Sequence, residues 1–195
     1  AEAEWAYRDF GPPGEVVKRE HVADLDVTLL TFANGVRLNL KRTDFEANRI
    51  YRLGRDRTPE IWLESESLEN PNGLIVDGEH LVIATWGPMT DRATFAVRQP
   101  GKILRADLRS RELAPLGRGD RIASFDGIVK VGEDYFATDW PNGRLLRISK
   151  DGAAHEVLAG LHQLADLGHD PASRTIALPV MGDDRLIFLR LGALE

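Results

Sequence analysis

The chain of 195 residues contains no cysteine. Disulfides and thiolate metal sites are therefore excluded, and the redox compartment is left open. There is no excess of basic residues either. The formal net charge is -6, which argues against a general nucleic-acid binder, because phosphate contact needs a basic face. No apolar run approaches the roughly 18–20 residues of a membrane span, so no membrane role is expected. The chain starts Ala1-Glu2-Ala3-Glu4, with no initiator Met and no signal peptide. It reads as a mature protein or an internal piece, with any targeting segment out of view. What is present is an ordinary globular balance, 43% hydrophobic and 29% charged residues. That is enough for one good-sized domain or two small ones.

A pattern then repeats in register. Asn72-Gly73-Leu74 is followed, 14 residues on, by Ala84-Thr85-Trp86-Gly87. Asp126-Gly127-Ile128 is followed at the same offset by Thr138-Asp139-Trp140, and Asp166-Leu167-Gly168 by Pro179-Val180-Met181-Gly182. Short apolar runs separated by turn signals such as Asp77-Gly78-Glu79 and Lys150-Asp151-Gly152 resolve each unit into strands. In the first unit these are Gly73–Val76, Leu81–Trp86, Lys102–Leu108 and Glu112–Leu116, with an insertion at Pro88–Pro100. In the second they are Gly127–Val131, Tyr135–Asp139, Arg144–Ser149 and His155–Leu158. The third shows Asp166–His169, Thr175–Pro179 and Arg185–Leu191.

Four short antiparallel strands in units of 40 to 54 residues are the signature of a β-propeller blade. Upstream, Asn48–Leu53 lines up with Gly143–Ile148, and Ile61-Trp62-Leu63 reads as a closing outer strand. The expected fold is all-β: a partial propeller of about three and a half blades, residues 49–195. Residues 1–47 do not repeat, and the N-terminal segment is taken as 1–48. They hold an aromatic start (Trp5, Tyr7, Phe10), a Gly11-Pro12-Pro13-Gly14 loop and a hairpin, Val27–Phe32 and Val36–Leu40, joined through Ala33-Asn34-Gly35.

Several motifs of residues 49–195 resemble the C-terminal half of the gluconolactonase and regucalcin-like six-bladed propellers. They are Glu69-Asn70-Pro71-Asn72-Gly73-Leu74, Ala84-Thr85-Trp86-Gly87, Phe125-Asp126-Gly127-Ile128, Ala137-Thr138-Asp139-Trp140 and Ala165-Asp166-Leu167-Gly168-His169-Asp170-Pro171. The likeness is nearest to a secreted bacterial branch and implies a periplasmic or secreted parent. A second resemblance covers residues 4–50. Glu4-Trp5-Ala6-Tyr7-Arg8-Asp9-Phe10-Gly11, Phe32–Leu38 and Lys41–Phe45 are similar to a non-catalytic segment of insulinase-type zinc peptidases. The H-x-x-E-H signature of those peptidases is absent: Glu20-His21 would end it, but position 17 is Val. The chain reads as a join of two fragments near Asn48.

The propeller resemblance implies a divalent metal (calcium, magnesium or zinc) held on the axis by a Glu, two Asn and an Asp. The metal would polarise a lactone carbonyl while a carboxylate moves the proton of the attacking water. Asn72 and Asp126 match two of these ligands, with Asp126 also the general base. The other two belong to blades that this sequence does not contain. Asp166 stands at the same repeat position and could add a carboxylate. The implied parent is a lactonase-like hydrolase of a small lactone or sugar derivative, impaired in this chain. A non-catalytic ligand- or protein-binding propeller module is the alternative. Plainer roles compete throughout. Asn or Asp before Gly shapes turns, Trp86 and Trp140 suit packing between blades, and Arg52, Arg105 and Arg147 suit exposed blade surfaces. A partial ring leaves open edges. Either two copies associate there, or the N-terminal hairpin pairs with Ile50–Leu53 and Glu60–Leu63.

Overall fold

The computed structural model describes residues 15–22, 27–33, 37–41, 48–53 and 59–193, and the chain divides into two compact units. The first unit, Ala1–Asp44 with Leu53–Pro59, holds one antiparallel sheet. Its strands are β1 (Val16–Val22), β2 (Val27–Phe32) and β3 (Arg37–Lys41), in that order. The hairpin read from Asn34-Gly35 is β2–β3, with Val27 opposite Lys41 and Thr31 opposite Arg37; Asn34 and Gly35 themselves lie outside the described residues. This hairpin is expected to pair with Ile50–Leu53 and Glu60–Leu63; among the described residues its strands share a sheet with Val16–Val22, while residues 49–53 and 59–64 pair with each other. Val16–Val22, not read as a strand, takes the other edge of β2 from Val16–Phe32 to Val22–Val27. Both edges of β2 are then used. The segments that carry most of the peptidase resemblance, residues 4–11 and 42–45, lie outside the described residues.

The second unit, Phe45–Arg52 with Glu60–Glu195, is all-β. It opens with β4 (Arg49–Leu53) paired to β5 (Pro59–Glu64). Next come β6 (Pro71–Asp77), β7 (His80–Thr85) and a separate small hairpin, β8 (Met89–Asp91) with β9 (Ala96–Val97), inside the insertion. β10 (Ile103–Asp107) and β11 (Leu113–Pro115) complete a four-stranded sheet in the order β6-β7-β10-β11. β12 (Phe125–Val131), β13 (Asp134–Asp139), β14 (Arg144–Ile148) and β15 (Ala154–Leu158) form the second. β16 (Gly168–Asp170), β17 (Thr175–Val180) and β18 (Arg185–Arg190) form a sheet of three. The pairings within these last three sheets are antiparallel. This is the partial propeller the repeat predicts: half a blade, two whole blades and three strands of another.

Each middle sheet is buried on both faces, because successive side chains of a strand point to opposite sides. In β7, Leu81 and Ile83 join Ile50, Trp62, Leu68 and Leu104 on one side. Val82 and Ala84 join Phe125, Ile128, Tyr135 and Ala137 on the other. The next strand of this kind, β13, repeats the arrangement: Phe136 turns toward Leu145, Leu164, Ile176 and Leu178. One apolar cluster thus fills each junction between consecutive sheets, and a fully buried Leu, Ile or Phe contributes about 1.5–3 kcal/mol. On the last described sheet, Phe188, opposite Ala177 in the ladder, is 65% exposed. Arg52 and Arg147 sit on blade surfaces, where they pair with Glu60 and Asp134.

At the β6 C-terminus, Asp77 ties two blades together. It accepts the Lys130 ammonium and the Tyr135 hydroxyl, each at 2.5 Å. These bonds hold the Asp77 carboxyl below its usual range, while burial and Asp77 push the Tyr135 hydroxyl up. A carboxyl lowered by folding contributes stability above its unfolded pKa and loses it as pH falls through the folded value. Tyr135→Phe is expected to cost about 1–3 kcal/mol at neutral pH, with the deficit shrinking in acid. Thermal melts of both proteins across the acid range check this, and an equal melting temperature at neutral pH would refute it.

Candidate functional site

Asn72, Asp126 and Asp166 hold the same repeat position, and the backbone treats each alike. In β6, Pro71 faces Thr85 and Gly73 faces Ala84, so Asn72 has no residue opposite. In β12, Phe125 faces Asp139 and Ile128 faces Ala137, leaving Asp126 and Gly127 against Thr138 alone. Ahead of β16, Leu164 bridges Val180 and Gly168 faces Ala177, so three residues stand against two. An extra residue in one strand is a β-bulge, which interrupts the ladder and re-aims a side chain. The Gly127 N–H, displaced from the ladder, donates instead to the buried Thr138 hydroxyl at 2.9 Å.

Glycine follows Asn72 and Asp126 for a steric reason. A Cβ on Gly73 would meet the Gly127 carbonyl carbon at 3.0 Å, and one on Gly127 would meet Asp166 Oδ1 at 2.0 Å. The innermost strands of neighbouring blades therefore approach backbone to backbone, and their polar residues meet. Asn72 Nδ2 donates to Asp126 Oδ1 at 2.7 Å. Burial pushes the half-buried Asp126 carboxyl above its usual range, and the charge of Asp166 adds to this. The Asn72 hydrogen bond and the Asp166 backbone N–H pull the other way without cancelling it. A carboxylate that takes up a proton more readily than usual is suited to general-base work. Asp166 is exposed, and its Oδ1 accepts the Leu167 N–H at 2.8 Å.

The donor chemistry fits a hard divalent cation in kind: one amide oxygen and two carboxylates. In number it falls short of such an ion's usual six to eight ligands. Among the described residues no three His, Cys, Asp or Glu side chains group around a common point. His155, His162 and His169 form no such group either.

The site has neighbours that sequence reasoning passed over. Glu69 and Asn70, just before β6, both have positive φ, 50° and 58°. Asn70 is held there by its N–H on Asn48 Oδ1 at 2.8 Å and by its Nδ2 on the Gly87 carbonyl at 2.7 Å. Glu69 accepts two bonds from Arg121, at 2.8 and 2.9 Å, and one from Lys102 at 3.1 Å. Burial raises the Glu69 carboxyl, but the two cations outweigh it and leave it lowered. The Asn-Pro pair was the available signal, since both are turn residues. Trp86 and Trp140 also come together, with ring centres 5.7 Å apart. Trp86 is buried between the blades, as its packing role predicts.

No protein-family model and no curated protein matches the chain. Solved structures do, and these are β-propeller proteins. A structural-genomics target assigned as a gluconolactonase aligns with TM-score 0.56 at 11% identity, over 89% of this chain and 58% of its own. A streptogramin B lyase aligns with TM-score 0.53 at 10% identity, over 95% and 70%. A structure of the nidogen/laminin complex aligns with TM-score 0.52 at 12% identity, over 87% and 77%. The chain thus spans little more than half the length of the first. At these identities the likeness shows the fold, and the fold is that of a partial β-propeller.

A carboxyl raised by folding contributes stability below its unfolded pKa and loses it as pH rises through the folded value. Asp126→Asn keeps an acceptor for Asn72 and removes the charge. It is expected to raise the melting temperature at neutral pH by about 2–4 °C, corresponding to ~1 kcal/mol in a chain of this size. The gain should vanish below the ordinary Asp range. Calorimetry at neutral and acid pH measures it, and a lower melting temperature for Asp126→Asn at neutral pH would contradict the account.

Proposed function

We propose that this chain carries part of the axial site of a gluconolactonase-like propeller. The whole parent protein, in a periplasmic or secreted setting, would hydrolyse a small lactone or related ester with a divalent cation. The observation that supports this reading most is the Asn72–Asp126 hydrogen bond beside Asp166, three polar residues on three consecutive bulges. Calcium, magnesium or zinc, when bound, supplies polarisation of the substrate carbonyl. Asn72 would hold it through its amide oxygen, and Asp126 and Asp166 through their carboxylates. Asp126, with its raised pKa, takes the proton of the attacking water. Residues matching the remaining Glu and Asn of the resembled set are not in this sequence. Metal binding by this chain is accordingly weak and turnover impaired. The exposed Phe188 on the last sheet supports self-association between copies.

Titration of the chain with calcium, magnesium and zinc is expected to raise its melting temperature only at millimolar metal. Hydrolysis of gluconolactone, followed by base uptake, should be slow, metal-dependent and lost in Asp126→Ala. No thermal shift with any of the three metals would end the metal reading for this chain. For self-association, sedimentation velocity should show concentration-dependent oligomers that Phe188→Asp disperses; a monomer at all concentrations argues against it.

A further inference from the structure

Trp86 and Trp140 follow the last residues of β7 and β13, at the ends of those strands that face Asn72 and Asp126 in the ladder. The Trp86 backbone N–H donates to the Asn70 carbonyl at 2.8 Å and that of Trp140 to the Ser124 carbonyl at 3.3 Å. Each Trp therefore pairs two residues away from a bulged site residue. The Pro88–Pro100 insertion brings in a third ring. Phe95 lies 5.9 Å from Trp86 and 6.1 Å from Trp140, centre to centre.

Phe95 has φ +57°, a left-handed conformation that is uncommon for a bulky residue and is kept only where the surroundings enforce it. Trp86 Nε1 enforces it by donating to the Phe95 carbonyl at 3.1 Å. Asp91 braces the same turn by accepting from the Ala93 N–H and the Thr94 hydroxyl, both at 2.9 Å. The backbone at Trp140 is held from its own side. The fully buried Asp139 beside it accepts from Asn142 and from Arg144. The strain does not serve burial: Trp86 is 5% exposed, but Phe95 remains 37% exposed and Trp140 is half-buried. Two braced aromatic rings thus keep open surface at the end of the blades that carries Asn72 and Asp126.

We propose that Phe95 and Trp140, backed by Trp86, form a stacking subsite for a planar aromatic ring carried by the ligand of this site, an aryl ester or aryl-fused lactone. The inference rests on the reading of Asn72–Asp126 as the ligand-facing pair and adds to it the class of ring beside the carbonyl. Tilted and edge-on ring contacts already made by the three side chains extend readily to a fourth ring. Three side-chain donors near the rings already bond within the protein, which lowers the match to a polyhydroxylated ring: Trp86 Nε1 on Phe95, Asn70 Nδ2 on Gly87, and Asn72 Nδ2 on Asp126.

The test measures metal-free binding in EDTA by tryptophan fluorescence and saturation-transfer NMR. The probes are dihydrocoumarin, δ-valerolactone and methyl β-D-glucopyranoside. Dihydrocoumarin is expected to bind about tenfold more tightly than the other two. Phe95→Ala and Trp140→Phe should weaken it by about 3- to 10-fold, whereas Phe95→Tyr retains it. The proposal is overturned if δ-valerolactone or the glucoside binds as tightly as dihydrocoumarin. It is equally overturned if Phe95→Ala lowers the melting temperature but leaves affinity unchanged. Aryl-selective binding without any metal-dependent hydrolysis supports the subsite and counts against the hydrolase reading alone.

Discussion

The space between β6 and β12 is so narrow that one added Cβ decides what the rest can do. Gly73 lies against the backbone of Gly127, and Gly127 against Asp166. A side chain at either position would push neighbouring blades apart where they are closest. Asn72 and Asp126 would then lose their hydrogen bond, and the apolar clusters on either side would open. The bulges belong to the same constraint. By inserting one residue per repeat they turn a polar side chain out of the ladder at the point where the strands converge.

Away from that convergence, stability comes from sheets buried on both faces. The alternation in β7, with Leu81 and Ile83 to one side and Val82 and Ala84 to the other, makes each blade depend on two neighbours. The opposite ends of the inner strands differ in purpose. Around Asp77, a carboxylate, an ammonium and a phenol are mutually satisfied, which suits a structural tie. Around Asp126, a carboxyl is half-buried with only an amide and a backbone N–H to oppose the effect of burial and of Asp166. Groups held away from their ordinary pKa, near positive-φ residues such as Glu69, Asn70 and Phe95, are common where a surface is shaped for a ligand.

Much of the fold was legible because its signals are local. Short apolar runs, Gly-containing turns and the 14-residue offset placed the propeller strands near their observed bounds, including the half blade at Arg49–Glu64. The N-terminal sheet was read only in part. Val16–Val22 carries charge at Lys18, Arg19 and Glu20 and lacks clean alternation, and its pairing with β2 makes it a strand. The repeat singled out Asn72, Asp126 and Asp166. Neither their bulges nor the placement of Phe95 left a signal, since a bulge is a difference in register between two strands and a ring contact joins residues far apart in the chain.

The sequence by itself determined that this is an all-β chain of propeller repeats, which positions share a repeat, and that thiolate chemistry is excluded. Those properties follow from the order and kind of residues along one strand at a time. Only the tertiary structure decided that Asn72 bonds Asp126, that burial raises the Asp126 carboxyl, and that Phe95 closes on two tryptophans. Each of these depends on distances between separate sheets, and those distances are set by how closely backbone can approach backbone at Gly73 and Gly127.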